Sequence, residues 1–203
     1  MLPALPRIFC LVSTTDDLTL LPALAAAGVD GFQVRDKAAT TRELLVLTAS
    51  VLELVAAYQA RVVVDDRLDV ALAAGADGVH LGAADLPLDE ARRIADAVAP
   101  GLIIGATCRN RAAVEAAADS GADYAGFGPV FATSSKDGLP DPLGVEAVGA
   151  AAGVLPLIAI GGISAETAAP VRAAGAHGVA VIGGLWRQPD PLQAAKELVT
   201  AVA

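Results

Sequence analysis

A short phrase recurs four times along this chain, each time leading into strand-like residues. The copies are AAGVDGFQV around Gly28, AAGADGVHL around Gly75, DSGADYAGF around Gly121 and AAGAHGVAV around Gly175. Their glycines stand 47, 46 and 54 residues apart. A near-regular period constrains the architecture before any site is considered, because each repeat must be a unit that packs on its copies. Each copy reads as the end of a helix, a turn through Gly, then a β-strand. One further helix, strand and helix fit between consecutive copies, so a period holds two βα units and four periods hold eight. The expected fold is α/β: a single (β/α)8 barrel of the TIM type spanning residues 1–203.

The strands can be placed individually. The odd ones are IFCLV (8–12), RVVVDD (61–66), LIIGAT (102–107) and LPLIAIGG (155–162). The even ones are GFQVRDK (31–37), GVHLG (78–82), YAGFGPVF (124–131) and GVAVIGG (178–184). Short apolar runs ending in Asp or Gly suit parallel strands covered on both faces. The clearest helix runs from Thr41 to about Tyr58, with Leu44, Leu47, Val51 and Leu54 on one face. Thr40 and Glu43 form its expected capping box. Asp89, Asn110 and Ser164 are expected N-caps of other helices. The longest irregular stretch, ATSSKDGLPDPLG (132–144), follows strand six, on the side where long barrel loops are usually functional.

Composition excludes several classes. At 203 residues, eight βα units leave almost nothing for a second domain. The apolar runs stop well short of the roughly 20 residues a membrane span needs. The N-terminus lacks a basic leader followed by an apolar segment, which argues against a secretory signal. Cys10 and Cys108 match no metal-ligand spacing and make no disulfide framework, so a reducing cytosol fits. A net charge of −9 argues against a nucleic-acid partner. The expectation is an acidic cytoplasmic protein with no nucleic-acid or membrane partner. Barrels of this kind often associate through outer helices, which leaves a homo-oligomer open.

In such barrels the site is built at the C-terminal ends of the strands. Polar residues there are Gln33, Arg35 and Lys37 after strand two, Asp65 and Asp66 after strand three, and Asp85 after strand four. Thr107 ends strand five, and Thr133, Ser135 and Lys136 follow strand six. Gly161 and Gly162 end strand seven; Gly183 and Gly184 end strand eight. Paired glycines let backbone N–H groups approach a phosphate, where a Cβ would obstruct; the plain alternative is a tight turn. Arg35, Lys37 and Lys136 would face Asp65, Asp66 and Asp85. A few carboxylates plus phosphate oxygens suit Mg²⁺, and the cations would hold the remaining charge of a diphosphate. The alternative is a set of salt bridges at the barrel mouth. His80 is expected to pack in or near the barrel, and His177 to lie exposed at the opposite face. Cys108 has no evident base partner, and Trp186 with the helix after it is expected to seal the barrel's outside.

These residues resemble the family of thiamine-phosphate synthase and the related thiazole tautomerase (TenI-like) proteins. The resemblance covers essentially the whole chain. It rests on QVRDK (33–37), VVDDRLDVALAAGADGVHLGAADLP (63–87), GADYAGFGPVFATSSK (121–136) and AIGGI (159–163). It implies a transferase that joins 4-amino-2-methyl-5-hydroxymethylpyrimidine diphosphate to a thiazole phosphate and releases diphosphate. It further implies Mg²⁺ on Asp66 and Asp85, and the diphosphate gripped by Arg35, Lys37 and Lys136. By the same resemblance Gln33 and Thr107 contact the pyrimidine. Thr133, Ser135 and backbone near Gly162 and Gly183 hold the thiazole phosphate. Four positions depart from the family pattern. Asp65 stands where Asn is usual, Thr107 where Ser is usual, and Gly183 where Ser is frequent. Arg109 stands where the tautomerases commonly carry His. That branch also tends to lose the two metal aspartates, which this chain keeps. A thiazole tautomerase, a paralogue with altered substrate and a non-catalytic phosphate-ligand sensor are the alternatives to a synthase.

Overall fold

The computed structural model describes residues 5–133 and 141–203. Eight parallel strands close on themselves in chain order. They are β1 (Ile8–Val12), β2 (Gly31–Val34), β3 (Arg61–Asp65), β4 (Gly78–Leu81), β5 (Ile103–Cys108), β6 (Tyr124–Phe127), β7 (Leu157–Ile160) and β8 (Gly178–Val181). The seam between first and last strand is a regular parallel ladder, with Phe9 opposite Ala180. Between strands run the helices α1 (Leu21–Ala26), α2 (Thr41–Val55), α3 (Leu68–Ala74), α4 (Leu88–Val98), α5 (Arg111–Asp119), α6 (Val145–Ala151) and α7 (Ala165–Ala173). A four-residue helix α8 (Gly183–Trp186) and then α9 (Pro191–Val202) follow β8. The expected barrel is the observed one.

Two buried clusters explain the apolar runs of the strands. Outward residues such as Ile8, Cys10 and Val12 join the large cluster between sheet and helices. Inward residues Phe9, Leu11, Val63, Ile103, Tyr124, Ile158 and Ala180 fill the barrel itself. A strand buried on both faces has no reason to alternate polar with apolar residues. The interior changes character along its axis: Gln33, Asp65 and His80 are buried polar residues within it, and Thr107 is the exposed residue of β5.

The repeated phrase acquires a mechanism. All four of its glycines have left-handed backbone, with φ of 110°, 70°, 88° and 108° at Gly28, Gly75, Gly121 and Gly175. Each turns the chain out of a helix towards the next strand, a conformation other L-residues adopt at a cost. The acidic residue two places later ties down the preceding odd strand. Asp30 accepts from the Ile8 N–H at 2.8 Å, Asp77 from Val62 at 2.8 Å and Asp123 from Ile104 at 2.7 Å. In the fourth copy His177 replaces Asp, and its Nε2 donates to the Leu5 carbonyl at 3.0 Å, ahead of β1. His177 is therefore half-buried and bonded rather than exposed.

The helix expectations need two corrections. The capping box of α2 is present, with Thr40 N–H donating to Glu43 at 2.8 Å and Glu43 N–H to Thr40 Oγ1 at 3.3 Å. Its buried stripe is Leu44, Leu47, Thr48, Val51 and Val55, with Leu54 only partly covered, and the last turn through Tyr58 is 3-10. Asn110 caps α5 as expected, accepting from Ala113 N–H at 2.8 Å, and Ser164 occupies the N-cap of α7. Asp89 does not cap α4. Pro87 holds that position with an extended backbone, and Asp89 and Glu90 fall inside the first turn. There their charges still face the positive end of the helix dipole.

Candidate active site

The rim above the C-terminal ends of β2, β3 and β4 concentrates charge. Gln33, buried in β2, donates from Nε2 to Asp65 Oδ1 at 2.8 Å. The turn after β2 brings Arg35 Nε to 3.1 Å and Lys37 Nζ to 3.6 Å from Asp65 Oδ2. Lys37 also pairs directly with Asp66. Asp66 sits in left-handed backbone, φ 63°, and its N–H donates to the His80 carbonyl at 2.7 Å. Few residues without a glycine's freedom accept that conformation, and Asp is among the more tolerant. Lys37 bridges the two consecutive carboxylates, while Asp65 also reaches Gln33 and Arg35. A cavity of about 130 Å³ opens among Asp36, Lys37, Ala39, Leu44, Asp65, Asp66 and Arg67. A wider groove of about 510 Å³ lies at the other end of the barrel, around Leu52, Gln59, Arg61 and Asp77, away from this cluster.

The carboxyls divide by environment. Burial, followed by the Asp66 charge, pushes Asp65 up to about 6 against the pull of Arg35, Lys37 and Gln33. Burial also raises Asp85, and a hydrogen bond to Asp66 raises it further. Burial works against the charge of Asp66 too, but hydrogen bonds to Lys37 and Asp85 outweigh it and hold Asp66 below its ordinary value. Asp66 and Asp85 thus act on each other, the one held low and the other raised. Asp85 is itself anchored by the Gly82 N–H, which donates to its Oδ2 at 2.7 Å. Neighbouring carboxyls disfavour each other's ionisation, and a nearby cation favours it. Among the described residues no group of three or more His, Cys, Asp or Glu converges with metal-holding geometry. The pair Asp66 and Asp85 fits the preference of Mg²⁺, which takes one or two carboxylates and completes its shell with water and phosphate oxygens.

Asp65 offers a stability test. A carboxyl whose pKa is raised on folding stabilises the protein in its protonated form. That contribution is full below the unfolded value of 3.8 and lost as pH rises through about 6. Asp65→Asn removes the loss. Scanning calorimetry of the unliganded variant should give a higher melting temperature than the parent at pH 7.5, with the difference gone by about pH 4. A variant that melts lower at pH 7.5 would mean that pairing with Arg35 and Lys37 outweighs burial.

Deeper in the barrel lies a polar chain. His80 Nδ1 is 3.1 Å from Tyr124 Oη, and His80 Nε2 is 3.0 Å from Thr107 Oγ1. Burial holds His80 down to about 4, so the ring is neutral near pH 7. Burial also raises the Tyr124 phenol, helped by the Asp65 and Asp123 charges. Tyr124 stacks on Phe9 with ring centroids 5.7 Å apart. Sequence reasoning missed Tyr124. The available signal was Gly105 inside strand five, since a strand glycine marks a close approach: a Cβ there would stand 2.1 Å from Tyr124 Cζ.

The glycine pairs separate into two kinds. Gly161 and Gly162 have φ of 95° and 66°, and a Cβ on them would stand 2.4 Å from Pro129 Cβ and 2.6 Å from the Ala132 carbonyl. A Cβ on Gly184 would meet the Ile163 carbonyl at 2.1 Å. Packing and turn geometry therefore require these three on their own account. Gly183 faces more open space, with Arg187 Cδ at 3.3 Å the nearest atom to an added Cβ. It begins α8 directly after β8, which is where barrels of this type often place a short phosphate-binding helix. Trp186 at the end of α8 donates from Nε1 to the Leu11 carbonyl at 2.7 Å, tying this helix to β1. Thr133 is half-buried in the segment after β6, and Ser135 and Lys136 lie outside the described residues. Burial raises the Cys108 thiol to about 11, which leaves it protonated and a poor nucleophile near pH 7.

The family described as "Thiamine monophosphate synthase" matches residues 7–185. A thiamine-phosphate synthase of Methanoculleus marisnigri is 48% identical over 192 residues, covering 94% of this chain and 89% of that one. One from Chlorobium phaeovibrioides is 41% identical over 203 residues, covering 98% and 95%. Among solved structures, a thiamine phosphate pyrophosphorylase from Pyrococcus furiosus superposes with a TM-score of 0.85. It is 33% identical, with 97% of this chain and 95% of that one covered. A 3-hexulose-6-phosphate synthase, TM-score 0.77 at 22% identity, shares the fold alone. With its closed barrel, its acid–base rim and a family match over most of its length, the chain belongs to the thiamine monophosphate synthase family.

Proposed function

We propose that this chain is a thiamine-phosphate synthase. It joins 4-amino-2-methyl-5-hydroxymethylpyrimidine diphosphate to a thiazole phosphate and releases diphosphate. The observation that carries the reading is the rim where Arg35, Lys37, Asp65, Asp66 and Asp85 converge, in a chain whose relatives of that name align over nearly all of it. Asp66 and Asp85 would hold Mg²⁺, which would supply positive charge to the leaving diphosphate oxygens. Arg35 and Lys37 grip the same diphosphate, and Lys136 joins them. Gln33 and Thr107 contact the pyrimidine; Thr133, Ser135 and backbone at Gly162 and Gly183 hold the thiazole phosphate.

The chemistry asks for positioning and charge rather than a protein nucleophile. The bond between the pyrimidine methylene carbon and the diphosphate oxygen breaks, and its electron pair leaves with diphosphate. The amino group of the pyrimidine delocalises the positive charge left on the methylene carbon. The thiazole nitrogen then donates its lone pair to that carbon, closing the C–N bond. Arg35 and Lys37 stabilise charge that grows as the first bond breaks, so their contribution is greatest in the transition state. The rim holds the two substrates in register, which removes most of the entropic cost of their encounter. An inert Cys108 and a neutral, buried His80 agree with a reaction that needs no strong base.

The deciding assay incubates the purified protein with both substrates, with and without Mg²⁺, and follows thiamine phosphate. Product that forms with Mg²⁺ and stops on chelation is the expected result. Turnover of a thiazole carboxylate phosphate that survives EDTA, with no thiamine phosphate formed, would select a tautomerase instead.

A further inference from the structure

The chain Tyr124–His80–Thr107 has a direction. Tyr124 is 1% exposed, and the one hydrogen bond found for its hydroxyl among the described residues is to His80 Nδ1. If Nδ1 carried the ring proton, the phenol would accept from it and its own proton would have no acceptor. A desolvated hydroxyl does not bear that cheaply. The phenol therefore donates, and Nδ1 is the bare nitrogen. The neutral ring then carries its proton on Nε2 and donates it to Thr107 Oγ1. The Thr107 oxygen is occupied as an acceptor, so its proton points elsewhere. Thr107 is the exposed residue of β5, beside the rim that holds Gln33 and Asp65.

Two absent side chains make the chain possible. His80, Gly105 and Tyr124 sit side by side on β4, β5 and β6, in register. Gly105 leaves the space between the two rings free, and a Cβ on Gly126 would stand 2.6 Å from His80 Cε1. The two rings meet across a strand that contributes no side chain at that level.

We propose that Tyr124 and His80 are positioning residues that lock Thr107 as a hydrogen-bond donor towards the bound heterocycle, selecting an unprotonated ring nitrogen there. The heterocycle is the aminopyrimidine of the synthase reading, on which this part rests. An analogue carrying N–H at the same ring position would face donor against donor and be rejected. The direction of the relay is a property of the protein alone.

The test has two arms. In ¹⁵N-histidine-labelled, unliganded protein at pH 7, two-bond ¹⁵N–¹H spectra should show His80 protonated on Nε2 and bare on Nδ1, and Tyr124→Phe should shift it towards the other tautomer. A native ring protonated on Nδ1, or on both nitrogens, would overturn the relay whether or not the protein makes thiamine phosphate. In the second arm, calorimetric titration with the pyrimidine diphosphate should give a Kd about tenfold weaker for Thr107→Val. Thr107→Ser, which keeps the hydroxyl, should stay within about twofold of the parent. Equal affinities for the Val and Ser variants would overturn the donor role even with the relay intact. Complete absence of turnover in the parent would count against the synthase reading instead.

Discussion

Asp66→Asn and Asp85→Asn should each lower kcat on the order of 10²–10³-fold at ordinary Mg²⁺ while melting close to the parent. The choice of Asn separates chemistry from folding. Asp66 has φ 63°, a conformation that Asn tolerates about as well as Asp, whereas Ala adds about 1–2 kcal/mol of backbone strain. At Asp85 the Asn carbonyl oxygen can still accept from the Gly82 N–H, the contact that orients the side chain. Each variant keeps its shape and loses the charge that would hold the cation. Activity has to be accompanied by a direct readout, so Mg²⁺-dependent binding of inorganic diphosphate should weaken in parallel. Full kcat in both variants would remove the metal from these two carboxylates. Lost activity with unchanged Mg²⁺-dependent diphosphate binding would place their role elsewhere.

Legibility in the sequence followed how local each signal is. The four left-handed glycines were readable because a helix end, a turn and a strand are consecutive residues, and only Gly accepts that turn cheaply. The rim was readable because a parallel barrel puts every strand's C-terminal end at one face, so Arg35, Asp65 and Asp85 had to converge in space. Contacts set by register between strands were not readable. The partners of Asp30, Asp77 and Asp123 sit near the start of the preceding odd strand, outside the repeated phrase itself. The pairing of His80 with Tyr124 depends on three strands aligning around Gly105, which no single segment encodes. Gly161 and Gly162 suggested a phosphate cradle. Their contacts with Pro129, Phe131 and Ala132 supply a packing reason as well, and in sequence the two causes look alike. Asp89 was misplaced because Pro87 opens α4 earlier than the expected acidic cap.

The largest loss of stability should come from the smallest change in the barrel interior. In Gly105→Ala the new Cβ would stand 2.1 Å from Tyr124 Cζ and 2.5 Å from its Oη. The ring cannot rotate clear, because it is stacked on Phe9, bonded to His80 and almost wholly buried. Overpacking of this kind costs about 3 kcal/mol, which in a chain of this size lowers the melting temperature by about 6–12 °C. Tyr124→Leu alone also destabilises, since it opens a cavity beside Phe9 and strips His80 Nδ1 of its donor. Combined, the two changes should compensate: the added methyl occupies space that the ring vacates, with a coupling on the order of 2 kcal/mol. Gly184→Ala provides the contrast, because its Cβ would meet the backbone oxygen of Ile163 at 2.1 Å, where no side-chain truncation gives relief. Strict additivity in the Gly105/Tyr124 pair would mean that the ring does not fill the space above Gly105. The His80 chain would then lose its geometric footing together with the stability argument.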